Sequence, residues 1–200
     1  MDDSAEDTRP PGLTRQHMGI VPGLPLAASE GGIEALRGDI QRLFDIEAIK
    51  QLKHAYFRCL DTANWDELRA LFHPDISVHF IGGSYEWRFQ GRDEYLTALR
   101  RSFHRQSIGQ HNGHSPEIQL LGSTEATGIW YLADHMWMLN HRHLTSGTAL
   151  YWDRYEKLEG RWVIRSTCYR RIYEMHQPIA TPLTLGAHYL AEHGAPPDEG

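Results

Sequence analysis

The chain is poor in cysteine, in excess basic charge and in long apolar runs. Only Cys59 and Cys168 occur in 200 residues, so a secreted domain built on disulfides is not expected, and two reduced thiols are the simplest state. No segment approaches the roughly 20 consecutive apolar residues that a membrane span requires. Lys and Arg number 20 against 26 Asp and Glu, for a formal net charge of -6, which lacks the clustered basic excess of a nucleic-acid surface. The pair Arg100-Arg101 with Arg105 reads as the solvated side of a helix. The N-terminus MDDSAEDTRPPG is acidic and carries prolines, the opposite of a secretory signal. These absences together place the expected compartment in the cytoplasm.

What is present is an ordinary globular composition, 40% hydrophobic and 23% charged, long enough for one domain with extensions. The unusual counts are 13 histidines and six tryptophans. Residues 1–35 hold Pro10, Pro11, Pro22 and Pro25 and read as an arm, although Gly32 to Leu43 carries a short helical pattern. A helix is predicted from Asp45, taken as its N-cap, with Ile46, Ile49, Leu52, Tyr56 and Leu60 on one stripe. A second runs from Trp65 to Phe72 and stops before His73-Pro74. DISVHFI from Asp75 alternates as a strand, Glu86 to Phe89 adds a short one, and Gly91 to Phe103 forms a third helix. Four strand segments follow: PEIQLLG, EATGIWYLADHMWMLN, TALYWDRYEKL and RWVIRSTCYRRIYE. They are divided at Gly122-Ser123, near Ser146-Gly147 and at Glu159-Gly160. Short turns between long strands imply an antiparallel sheet, and helices followed by a strand meander indicate an α+β fold. The expected division is an arm at 1–35, a domain at 36–176 and a tail at 177–200.

The stretch GQHNGHSPEI, from Gly109, allows three readings. His111 and His114 form half of a metal-ligand spacing, which His135, His141 and His143 could complete, but cysteine or acidic ligands at matching spacing are missing. The residues are also an ordinary polar turn before a strand. Alternatively one imidazole is a general base, oriented by a carboxylate from another element. Asp61 at the end of the helix from Asp45 is poorly placed for the helix dipole and needs a partner if buried. Asp134 poses the same question. It shares one strand face with Trp130, Leu132, Met136 and Met138, while His135 lies on the other face, and a carboxylate among apolar neighbours must be paired or line a polar cavity.

From DIEAIKQLKHAYFRCLDTANWDELRALFHPDISVHF through the histidine segment before PEI, GIWYLADHMW and YEKLEGRWVI, the chain resembles the SnoaL-like branch of the nuclear transport factor 2-like superfamily. The resemblance spans about residues 40–175. It implies a cone-shaped α+β barrel, a curved antiparallel sheet packed on N-terminal helices around a deep pocket. Enzyme members include scytalone dehydratase, bile acid 7α-dehydratase, a dehydrochlorinase, steroid isomerase and polyketide cyclases. By position His111 matches the catalytic base, Asp61 its orienting aspartate, Tyr56 the pocket tyrosine and Asp134 a second acid. An arginine is expected from the last strand, with Arg165, Arg170 and Arg171 competing and Arg171 preferred. Trp130, Met136, Met138 and His114 are the expected substrate contacts.

The activity so implied is a lyase, a dehydratase that needs no cofactor or metal. It abstracts a proton alpha to a carbonyl and eliminates water from a small hydrophobic cyclic substrate. The same dyad serves an isomerase or polyketide cyclase. The fold also serves as a non-catalytic binding subunit, such as the small subunit of a ring-hydroxylating dioxygenase. Apolar residues on both strand faces predict a homo-oligomer, trimer or dimer.

Overall fold

The computed structural model describes residues 23–197. Residues 1–22 of the predicted arm and 198–200 of the predicted tail lie outside the described residues. Helix α1 (Ile33–Asp61) is one continuous rod of 29 residues, where the sequence suggested two helices meeting at Asp45. Neither Gly nor Pro interrupts residues 39–61, so no local signal stops the helix. Asp45 is not a cap. Its buried carboxylate accepts hydrogen bonds from Trp162 Nε1 at 2.9 Å and Lys157 Nζ at 2.7 Å, so tertiary partners satisfy it. The stripe Ile49, Leu52, Tyr56 and Leu60 is buried, as its helical spacing predicts.

Helix α2 (Trp65–Ala70) ends before the proline, and strand β1 (Phe72–Ile81) begins earlier than expected. Pro74 falls in the interval between Phe72 and Ser77 where the pairing register shifts, a position that does not need its missing N–H. Strand β2 (Glu86–Gln90) and helix α3 (Arg92–Ser102) follow. Strands β3 (Ser107–Leu120), β4 (Glu125–Met138), β5 (His143–Leu158) and β6 (Arg161–Pro178) make the meander, and helix α4 (Tyr189–His193) lies near the end of the described chain. The sheet order is β2-β1-β6-β5-β4-β3. The meander is antiparallel, but β1 joins β6 in parallel, which short hairpin turns do not predict. The curved sheet stays open, with β2 and β3 as its edges, and wraps the buried stripe of α1 as an α+β cone. The domain limits expected at 36 and 176 fall inside α1 and β6.

Two local readings are corrected. The histidine segment is part of strand β3, not a loop, and Asn112-Gly113 is paired with Ala133 and Leu132 instead of turning. Ser146-Gly147 lies within β5, paired with His135 and Asp134, and the turn from β4 to β5 comes earlier, with Arg142 at φ 51°. Both stretches have the composition of a break, but pairing with β4, and for Ser146-Gly147 with β6 as well, holds them extended.

Candidate functional site

The last turn of α1 crosses the inner face of β3. Positions 109, 111 and 113 share that face by the two-residue period of a strand, and they read Gly, His, Gly. A Cβ at Gly113 would stand 1.9 Å from Phe57 Cε2, and one at Gly109 would stand 2.8 Å from Asp61 Oδ1 and 2.9 Å from Phe103 Cε1. The two glycines therefore let the helix approach closely enough for Asp61 to reach the histidine between them. This Gly-x-His-x-Gly pattern is a signal that a turn reading passes over.

The backbone N–H of His111 donates to Asp61 Oδ2 at 2.9 Å, and the ring Nδ1 lies 2.6 Å from Asp61 Oδ1. A carboxylate only accepts, so Nδ1 carries the hydrogen and Nε2 is left as the basic atom of the ring. Phe57 lies parallel to the imidazole at a centroid separation of 6.3 Å, and Phe103 lies at 5.7 Å. Two anchors and two apolar flanks hold the ring in one orientation. Asp61 is the final residue of α1, and the partner its position required is this histidine.

His111 borders a cavity of about 310 Å³ whose walls are mainly aromatic and aliphatic, including Leu60, Phe80, Trp87, Leu99, Met136 and Met138. Tyr56 lines it as well. Its hydroxyl is 2.8 Å from that of Tyr95. Burial pushes the Tyr56 phenol well above its ordinary value, so it stays protonated and able to donate. Burial likewise raises Tyr95, Tyr151 and Tyr169, all lining residues.

Asp134 stands directly across the sheet from His111, and its carboxylate is 5% exposed. Arg171 grips it with both terminal nitrogens, Nη1 on Oδ1 at 2.5 Å and Nη2 on Oδ2 at 2.8 Å. Burial opposes the guanidinium charge, but the Asp134 hydrogen bonds, Tyr85, Tyr169 and the Asp134 charge together outweigh it and raise the pKa. Behind Arg171 lies Glu174, whose Oε2 is 3.3 Å from Nε. Burial would raise the Glu174 carboxyl, yet the Gly83 backbone N–H, Arg171 and His176 together hold it below the usual carboxylate value. The alternation of β6 alone would not put Arg171 and Glu174 side by side. Thr148 pairs with Tyr173 and Ala149 with Arg171, so a bulge at Ile172 switches the inward face from odd to even positions. Bulges also sort the three arginines. Arg165 is turned to Glu156 and the Asp75 carbonyl, and of the three only Arg171 borders the cavity.

The structure therefore brings Tyr56, His111, Asp134, Arg171, Met136 and Met138 around one cavity, with Asp61 bonded to His111 but outside the lining. Two expected contacts lie elsewhere. Trp130 is on the same face of β4 but fully buried beyond the lining, its indole N–H donating to Tyr155 at 2.8 Å. His114 is exposed and stacked on Tyr131; the register shift between His114 and Glu117 and its even position turn it outward. His135 also faces outward, stacked on Trp137. Sequence reasoning missed Tyr85, Tyr169, Trp87 and Glu174. Tyr169 sits two positions before Arg171 and was accessible to period-two reading; Glu174 was hidden by the bulge. Among the described residues no group of three or more His, Cys, Asp or Glu is arranged to hold a metal ion, and no helix is long and apolar enough to cross a membrane.

Residues 41–167 match the sequence model of the SnoaL-like domain. Among solved structures, a protein assigned as a scytalone dehydratase from Novosphingobium aromaticivorans superposes with TM-score 0.60 at 22% identity, covering 74% of this chain and 97% of that one. The type 2 hexachlorocyclohexane dehydrochlorinase LinA gives 0.63 at 17% identity over 74% and 99%. A protein assigned as an aromatic ring hydroxylase, also from N. aromaticivorans, gives 0.61 at 15% identity over 68% and 94%. At these identities the superpositions bear on the fold.

Proposed function

Because the chain belongs to the SnoaL-like domain family, whose fold cups a small-molecule cavity, we propose that it is a cofactor-free lyase, a dehydratase of hydrophobic cyclic β-hydroxy carbonyl compounds. The observation that carries this reading is the His111–Asp61 contact of 2.6 Å on the wall of an apolar cavity. Nε2 of His111 takes a proton from the carbon alpha to the carbonyl, and the C–H electrons pass into an enolate. Asp61 keeps the tautomer and stabilises the imidazolium. Tyr56 stabilises charge on the enolate oxygen by donating a hydrogen bond, since the Arg171 guanidinium is engaged by Asp134. The enolate electrons then form the C=C bond as the C–O bond at the beta carbon breaks, and the imidazolium returns its proton so that the hydroxyl leaves as water. Isomerisation and cyclisation share the first step and differ only in where the enolate goes.

The same family and cavity support a small hydrophobic substrate. Ile33, Leu36, Leu43 and Phe44, between 56% and 67% exposed on the first turns of α1, support a homo-oligomer, dimer or trimer, in which a second copy covers them.

The test is a panel of fused-ring β-hydroxy ketones incubated with the protein and followed by mass spectrometry for loss of one water. Turnover that falls by about 10²- to 10⁴-fold in His111→Ala is the expected result. Product isomeric with substrate reassigns the enzyme as an isomerase or cyclase. Ligands that bind without any conversion move the reading to a binding subunit.

A further inference from the structure

The cavity holds one deeply buried cation, and that cation is already engaged. Arg171 is 7% exposed, with Nη1 and Nη2 both on Asp134 and Nε 3.3 Å from Oε2 of Glu174, itself 2% exposed, without a hydrogen bond between them. Tyr169 lies under the guanidinium at 5.5 Å. Glu174 is held in turn by the Gly83 N–H, by Ser84 at 3.2 Å and by His176 at 2.8 Å, so the clamp on the arginine is built from two sides. Arg101 also borders the cavity, but it is solvent-exposed. The carboxylate on the wall is that of Asp134, while Asp61 is His111's partner and not part of the lining. A bidentate Arg–carboxylate fork is the geometry by which proteins capture carboxylates. Here the fork faces a ligand cavity and is filled by the protein's own side chain.

We propose that Asp134 is a specificity-determining residue: its carboxylate occupies the Arg171 fork in place of a ligand anion, so that the cavity accepts neutral carbonyl compounds and rejects their carboxylate counterparts. The inference rests on the reading of this cavity as the substrate site. A carboxylate entering the cavity gives up its hydration, meets the Asp134 carboxylate, and finds the fork of the buried guanidinium taken. A ketone of the same shape loses far less, because it has no charge to desolvate. Selection against the wrong ligand is thus supplied by an unpaired, repelled charge.

The test uses two nearly isosteric probes, 2-acetylnaphthalene and 2-naphthoate, which differ chiefly in a methyl against a charged oxygen. Binding is measured by calorimetry and by quenching of tryptophan fluorescence, since Trp87 lines the cavity. The wild-type protein is expected to bind the ketone at least about tenfold more tightly than the carboxylate, and Asp134→Asn to raise the affinity for the carboxylate relative to the ketone at least about tenfold. Asp134→Ala gives the same reading if the asparagine variant fails to fold, as judged by circular dichroism. Adding Arg171→Met to either variant should abolish the gained carboxylate binding, which ties the gain to the guanidinium. Equal wild-type affinities, or a carboxylate affinity relative to the ketone that is unmoved in both Asp134 variants, overturn the inference and leave the cavity's role intact. Binding of neither probe by any form overturns it together with the reading of the cavity as a ligand site.

Discussion

Lys53 and Asp153 offer the most exacting check on the packing beneath the site. Both side chains are fully buried, with Nζ 2.7 Å from Oδ2. Asp153 also accepts from the Thr167 hydroxyl at 2.7 Å and the Tyr155 hydroxyl at 2.8 Å, while the ammonium sits 3.8 Å from the Tyr151 ring centroid and 4.5 Å from that of Tyr56. Burial pushes the Lys53 pKa down although Asp153 opposes the shift. Removing either partner strands a charge without water. Lys53→Met and Asp153→Asn should therefore each cost about 3–5 kcal/mol, a large share of the ~5–15 kcal/mol that holds a domain together. In the double variant no charge is stranded, and the asparagine oxygen still accepts from Thr167 or Tyr155. Its cost should be only about 1–3 kcal/mol, that of imperfect hydrogen bonding. The cycle then returns a coupling of at least about 3 kcal/mol, at the upper end for touching residues. Urea unfolding followed by far-ultraviolet circular dichroism reads all four proteins. Single-variant costs below about 1 kcal/mol, the level of a solvated surface pair, with additive effects in the double, would refute the claim that the pair is sealed under the cavity.

The close approach at the dyad predicts that Gly113→Ala, which must displace Phe57, destabilises by about 1–3 kcal/mol. Gly122→Ala, where a Cβ meets nothing within 4 Å, stays within about 0.5 kcal/mol in the same urea assay; equal effects would remove the role given to the glycine. Alkaline titration tests the phenol cluster. Burial raises Tyr56, Tyr85, Tyr95, Tyr151, Tyr155 and Tyr169 above the ordinary value. The folded state thus holds protons that the unfolded chain releases near pH 10. Their contribution to stability is complete below about pH 10 and is lost as pH rises through the folded values. Phenolate absorbance from these six should appear together with the loss of the circular dichroism signal. Phenolates forming in a chain that keeps its native signal would contradict the burial.

Much of this was legible before any coordinates. The stripe Ile49, Leu52, Tyr56 and Leu60, the alternation around Trp130 to Met138 and the turn at Glu159-Gly160 are local patterns. Local patterns report helix, strand and turn because they arise from residues a few positions apart. The resemblance then supplied Asp61 and His111 as partners 50 residues apart, a pairing that neither helix nor strand periodicity contains. What misled was also local. Asp45 has the chemistry of a helix cap, yet its carboxylate is satisfied by Lys157 and Trp162 from the sheet. Asn112-Gly113 has the chemistry of a turn, yet pairing with β4 keeps it extended.

Side-chain type and spacing already carried the α+β fold class, which depends on short-range pattern, and the family resemblance pointed to Asp61 and His111 as partners. Tertiary structure alone decided which arginine reaches the cavity, that Glu174 backs it, that Trp130 and His114 lie outside the lining, and that β6 meets β1 in parallel. These outcomes turn on strand register and on bulges such as that at Ile172. A slip of one residue exchanges the two faces of a strand, and the partners that set register are distant in the chain.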